Sequence, residues 1–93
     1  MINTVDISSK AQKSLRKLPK HILRKLLFWA DEVSEFGLRA TRKSSGWHDE
    51  PLKDKRKGQR SIRLSKAWRA IYIIKDNHEI EFVEITEVNK HEY

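Results

Sequence analysis

Eight lysines and arginines fall in the seventeen residues from Lys53 to Arg69, with Asp54 the only acid among them. Two of them, Arg63 in "SIRL" and Arg69 in "WRAIY", sit on short runs of alternating character, where a fixed backbone would aim their guanidinium groups. Guanidinium groups bind phosphoryl oxygens, and the nearby rings of Trp47, Trp68 and Tyr72 are of a kind that stacks on bases. The last residues, "NKHEY", add His91, which can exchange protons near neutral pH, and Tyr93, which needs neighbouring cations to do so. A strip of this kind suits nucleic acid, and a solvated charged face with the aromatics in the core is the alternative.

Other chemistries find no residues. The chain has no cysteine, and His21, His48, His78 and His91 are dispersed, none at helical spacing with a second ligand, so no metal and no cofactor is expected. Gly37, Gly46 and Gly58 are isolated, which leaves neither a phosphate-cradling loop nor a nucleophile elbow.

Positioning the two arginines falls to the second half of the chain. From Gln59 the hydrophobic period is two: Ile62 and Leu64 alternate with Ser61 and Arg63, "WRAIYII" reads as a buried strand, and "HEIEFVEITEV" after Asp76-Asn77 as another. If Ser65, Lys66 and Ala67 form a three-residue turn, Arg63 pairs with Arg69 on one face while Ile62, Leu64, Trp68 and Ala70 share the other. Directly opposed like charges repel, so the pair needs a reason. A bound phosphate supplies one, and a carboxylate such as Glu84 on the next strand is expected to compensate in its absence.

The first half reads as helical. A short strand at about 3–7 alternates Val5 and Ile7 with polar residues, and Ser8 or Ser9 caps a helix whose stripe is Ala11, Leu15 and Leu18. Pro19 opens a second helix from about His21 to Phe36, with Ile22, Leu26, Trp29 or Ala30, and Val33 inward, and Gly37 stops it. "RKSSGWHDEP" reads as loop. The expectation is one α+β domain over residues 1–93, a helical hairpin packed on an antiparallel sheet of about four strands.

Net charge is +7, and all of the excess lies between Lys53 and Arg69. From Asp76 to Glu92 the balance reverses, with six acids against Lys90 alone. No apolar run approaches the roughly 20 residues that span a bilayer and no leader pattern is present, so no membrane partner and a cytoplasmic, reducing location are expected.

"PLKDKRKGQRSIRLSKAWRAIY" followed by "FVEITEVNKHEY" resembles the RelE/ParE superfamily of toxins from bacterial type II toxin–antitoxin modules, above all its HigB-like and RelE-like mRNA interferases. The likeness covers most of the chain and implies a RelE-like, microbial-ribonuclease-type fold. It implies a ribosome-dependent, metal-independent endoribonuclease that cuts messenger RNA in the A site by attack of the 2′-hydroxyl, neutralised by a cognate antitoxin.

By the same resemblance Arg69 and Arg63 are the phosphate-contacting, catalytic arginines, His91 and Tyr93 the proton-transfer residues, and Lys53 in "PLK" a substrate-binding lysine. Lys55, Arg56, Lys57 and Arg60 extend that binding strip. Where many relatives read "PLKG" this chain has Asp54, and Ser61 stands where some carry a second lysine, whose role would pass to Arg60, Lys57 or His91. Two alternatives stay open: the ParE-type members poison DNA gyrase on the same fold, and a non-catalytic nucleic-acid-binding module would use the same strip.

Overall fold

The computed structural model describes residues 1–90. The sheet has five strands, β1 (Val5–Ile7), β2 (Glu50–Pro51), β3 (Arg60–Arg63), β4 (Trp68–Asp76) and β5 (Glu81–Lys90), in the order β1-β5-β4-β3-β2. Helices α1 (Ser9–Leu15), α2 (Lys20–Phe36) and α3 (Leu38–Arg42) accompany it, with 3-10 turns at Ser45–Trp47 and Asp54–Arg56.

The helical hairpin forms as its sequence dictates. Ser8 Oγ accepts the Ala11 N–H at 3.1 Å and starts α1, and Pro19, which has no N–H to leave unsatisfied, precedes α2. Ile22, Leu26, Trp29 and Val33, spaced four, three and four, are all fully buried. Gly37 ends α2 at φ +87, a conformation that L side chains rarely adopt, so the backbone requires glycine there. The helix α3, which "LRATR" did not announce, follows at once, tied by Leu38 N–H to Ile2 O at 2.7 Å.

The sheet is mixed rather than antiparallel, and has one strand more than expected. β1 runs parallel to β5, Val5 facing Val83 and Ile7 facing Ile85, because the helices between return the chain to the far edge of the sheet. The added strand, β2, is two residues from the "loop", pairing Glu50 with Ser61 and Pro51 with Arg60. Proline is tolerated there because β2 is an edge.

Ile62, Leu64, Ala70, Tyr72, Val83, Ile85 and Val88 face the helices and form one core with α2. Val83 and Val88 are an odd number of residues apart and share that face only because the β4–β5 register shifts at Ile71/Tyr72. Trp29 and Tyr72 meet at its centre, ring centroids 5.2 Å apart. Among the described residues no helix is long and apolar enough to cross a membrane.

Candidate functional site

The β3–β4 hairpin adopts the three-residue turn that segregates basic from apolar residues. Leu64 N–H donates to Trp68 O at 2.9 Å, and Ser65 Oγ accepts the N–H groups of Ala67 and Trp68 at 3.2 Å. Arg63 therefore lies directly opposite Arg69, on the face away from the helices. Because Leu64–Trp68 is a hydrogen-bonded pair, Arg63–Arg69 is the closer, non-hydrogen-bonded kind, with Cα atoms about 4.5 Å apart. Arg63 is exposed, and Arg69 is half-buried with its Nε wholly out of solvent and without a hydrogen-bond partner among the described residues.

Glu84 does not compensate the pair. It stands opposite Ile73 and bonds Lys75 at 3.5 Å, while the residue facing Arg69 on β5 is Asn89. Glu87, which lies on β5 opposite Ile71, is taken by Arg56 and Asn89. The Asn89 amide holds Glu87 below the usual carboxylate range against the effect of burial, helped by the charges of Arg56 and Lys10. No ion pair among the described residues reaches Arg63 or Arg69.

The pair borders a cleft of about 260 Å³, walled by Ser61 and Ile62 of β3, Trp68 of β4, Ser65 and Lys66 of the turn, and His48, Glu50 and Leu52 along β2. His48 and Glu50 were not singled out from the sequence. Glu50 comes into place because its segment pairs as β2 and sets it beside Ser61, whereas no local period marks His48, which precedes the strand. His48 occupies the left-handed region at φ 46.

Between them Asp49 points the other way, toward the helices. Its side chain, 1% exposed, accepts from Arg60 Nε and from the Tyr72 hydroxyl, both at 2.6 Å, and the Tyr72 oxygen accepts from Arg42 Nε at 3.3 Å. Burial opposes the Arg60 charge, but Asp49 outweighs it and raises the Arg60 pKa. Burial, then the bond to Asp49, pushes Tyr72 up to about 12. A raised pKa in the folded state means stability is full below pH 10 and falls between about 10 and about 12 as the unfolded chain sheds its proton first. Wild-type protein is expected to lose about 2–3 kcal/mol across that interval beyond any loss in Tyr72→Phe, measured by urea unfolding at stepped pH.

The structure thus brings together Arg63 and Arg69 and separates them from Arg60, whose guanidinium is held by Asp49 on the helix side of the sheet. Lys53, Lys55 and Lys57 are exposed around the 3-10 turn, which Arg56 fastens to the sheet through Glu87 and Gln59. Of the three rings, only Trp68 borders the cleft; Trp47 donates to Glu32 at 2.9 Å beside α2, and Tyr72 is in the core. His91 and Tyr93 lie outside the described residues.

Asp54 adopts φ +56 at the start of the turn. Left-handed backbone costs most side chains about 1–2 kcal/mol and aspartate somewhat less, whereas glycine enters it freely. Asp54→Gly is expected to gain up to about 1 kcal/mol, offset in part by the entropy of glycine in the unfolded chain. A higher urea midpoint is the result to look for.

No family model and no curated protein matches the sequence. Solved structures do. A chain of the toxin–antitoxin complex RelBE2 from Mycobacterium tuberculosis is 28% identical, covering 98% of this chain and 100% of its own length at TM-score 0.69. YafQ from E. coli is 18% identical over 96% of this chain and 93% of its own, at 0.73. The RelE–RelB complex from Pyrococcus horikoshii matches at 22% over 97% and 96%, at 0.68. Helical hairpin and five-stranded sheet together make a RelE-like α+β fold. In fold the chain is similar to these structures from toxin–antitoxin modules, as the resemblance of its motifs implied.

Proposed function

We propose that this protein is the toxin of a type II toxin–antitoxin pair, a metal-independent endoribonuclease that cuts messenger RNA in the ribosomal A site. The observation that carries the proposal is the opposed Arg63 and Arg69 on the open face of the sheet, one with a buried donor that nothing in the described chain uses. Maintaining two cations at that separation costs stability, and a phosphodiester is the ligand that reverses the cost.

In the reaction the RNA 2′-oxygen bonds to the adjacent phosphorus, the bond to the 5′-oxygen breaks, and a 2′,3′-cyclic phosphate and a 5′-hydroxyl result. One proton leaves the 2′-hydroxyl and one reaches the departing oxygen, so a base and an acid are required but no enzyme nucleophile. Arg63 and Arg69 stabilise the charge that grows on the phosphoryl oxygens. Proton transfer is assigned to His91 and Tyr93 of the tail together with the cleft residues Glu50 and His48, and each such group typically contributes about 10²- to 10⁴-fold. Lys53, Lys55 and Lys57 hold the RNA or ribosome backbone.

The partner is an antitoxin, whose acidic or amphipathic segment suits the exposed cations Lys53, Lys55, Lys57 and Arg63. Structural relatives captured as toxin–antitoxin complexes support that pairing. Incubation with ribosomes carrying message, followed by mapping of cleaved ends, tests the proposal, with gyrase supercoiling as the control. Cuts with 2′,3′-cyclic ends in the A site are expected. Intact message with blocked supercoiling favours gyrase inhibition, and neither effect leaves a binding module; both outcomes refute the nuclease.

A further inference from the structure

We infer that Asp49 is a positioning residue for the cleft: by anchoring its own side chain beneath the sheet it fixes His48 and Glu50, its two neighbours in sequence, against Arg63 and Arg69. The inference rests on the nuclease proposal for its kinetic part and on geometry alone for its structural part.

A two-residue edge strand has little to hold it. β2 contributes two register pairs, ends in a proline, and follows a residue in left-handed backbone. Such a conformation persists only where its surroundings determine it. Three bonds do so here, all converging on Asp49. Arg60 Nε and the Tyr72 hydroxyl reach its carboxylate at 2.6 Å, and Arg60 Nη2 reaches its carbonyl oxygen at 3.4 Å.

Both donors come from rigid places. Arg60 is on β3, opposite Tyr72 on β4, and Tyr72 is braced by the Trp29 ring and by Arg42 of α3. A fixed Asp49 holds its neighbour on each side, Glu50 at the start of β2 and His48 in left-handed backbone, and both border the same cleft as the paired arginines. Asp49 touches no cleft atom itself; it acts through the two residues that do.

Asp49→Ala, Asp49→Asn and Tyr72→Phe are compared with Val33→Ala, a buried α2 change that lowers stability without touching the latch. Two-dimensional NMR is expected to show the His48 and Glu50 amides shifted in Asp49→Ala, less so in Asp49→Asn and Tyr72→Phe, and unmoved in Val33→Ala. Message cleavage should follow: kcat falls about 10²-fold in Asp49→Ala with KM within about twofold, and asparagine, which keeps an acceptor oxygen, restores about tenfold. If Asp49→Ala fails to fold, the asparagine and phenylalanine variants carry the same comparison.

Unshifted His48 and Glu50 amides in the folded latch variants overturn the inference, as does a kcat loss that merely tracks stability across all four proteins. A wild type that cuts no message refutes the nuclease and leaves the resonance comparison to decide the latch.

Discussion

Arg69→Gln is expected to lower ribosome-dependent message cleavage by about 10²- to 10³-fold, the usual loss when one preorganised donor to a developing oxyanion is removed. The same substitution should leave the fold intact or raise its stability by up to about 1 kcal/mol, because it relieves a directly opposed like-charge pair on neighbouring strands. That combination separates a binding arginine from a structural one. A residue that holds the sheet together loses stability and activity together; Arg69, whose Nε has no partner among the described residues, has no native bond at that atom to lose. Inorganic phosphate should narrow the gap by stabilising the wild type and not the variant. Thermal melts with and without phosphate, beside the cleavage assay, give both readings. Normal cleavage by Arg69→Gln, or a large fall in its melting temperature, contradicts the assignment.

Trp29→Ala is expected to cost about 3–5 kcal/mol in urea unfolding, the range for emptying a large aromatic site. Trp29 is fully buried, and its ring supports Tyr72. For a small domain of typical stability, about 5–15 kcal/mol in total, this leaves little margin. Trp29→Phe should cost far less, about 1 kcal/mol, because the indole Nε1 is buried without a partner and losing it removes a desolvated donor with the volume. A small effect of the alanine change would mean that the helix–sheet core is not centred where the contacts place it.

The part of the site that was legible in the sequence is the part written in alternation. Ile62 and Leu64 against Arg63, and Trp68 and Ala70 against Arg69, admit only one turn length that keeps charge off the core, and the hairpin has that length. The helical stripe from Ile22 to Val33 and the stop at Gly37 were readable for the same reason: local period and local backbone chemistry decide them.

What failed to show depends on partners distant in sequence. β1 parallel to β5, and β2 beside β3, are pairings that no local pattern encodes. Glu84 looked available to the arginines because pairing along β5 cannot be counted without knowing its register, which shifts at Ile71/Tyr72. Arg60 looked like one more cation of the strip, yet its position on β3 turns it to the helix side, where Asp49 claims it. A single buried carboxylate inside "WHDEP" carries no signature of burial, and with it His48 and Glu50 went unseen.

The pairing of Val5 with Val83 has a consequence for how the protein is made. Contacts between opposite ends of a chain close late and slowly. Here β5 lies between β1 and β4, so the sheet that seats Arg69 is incomplete until β5 has docked. Until then Arg69 has only β3 beside it, and the last strand to insert is the one that completes the arginine face.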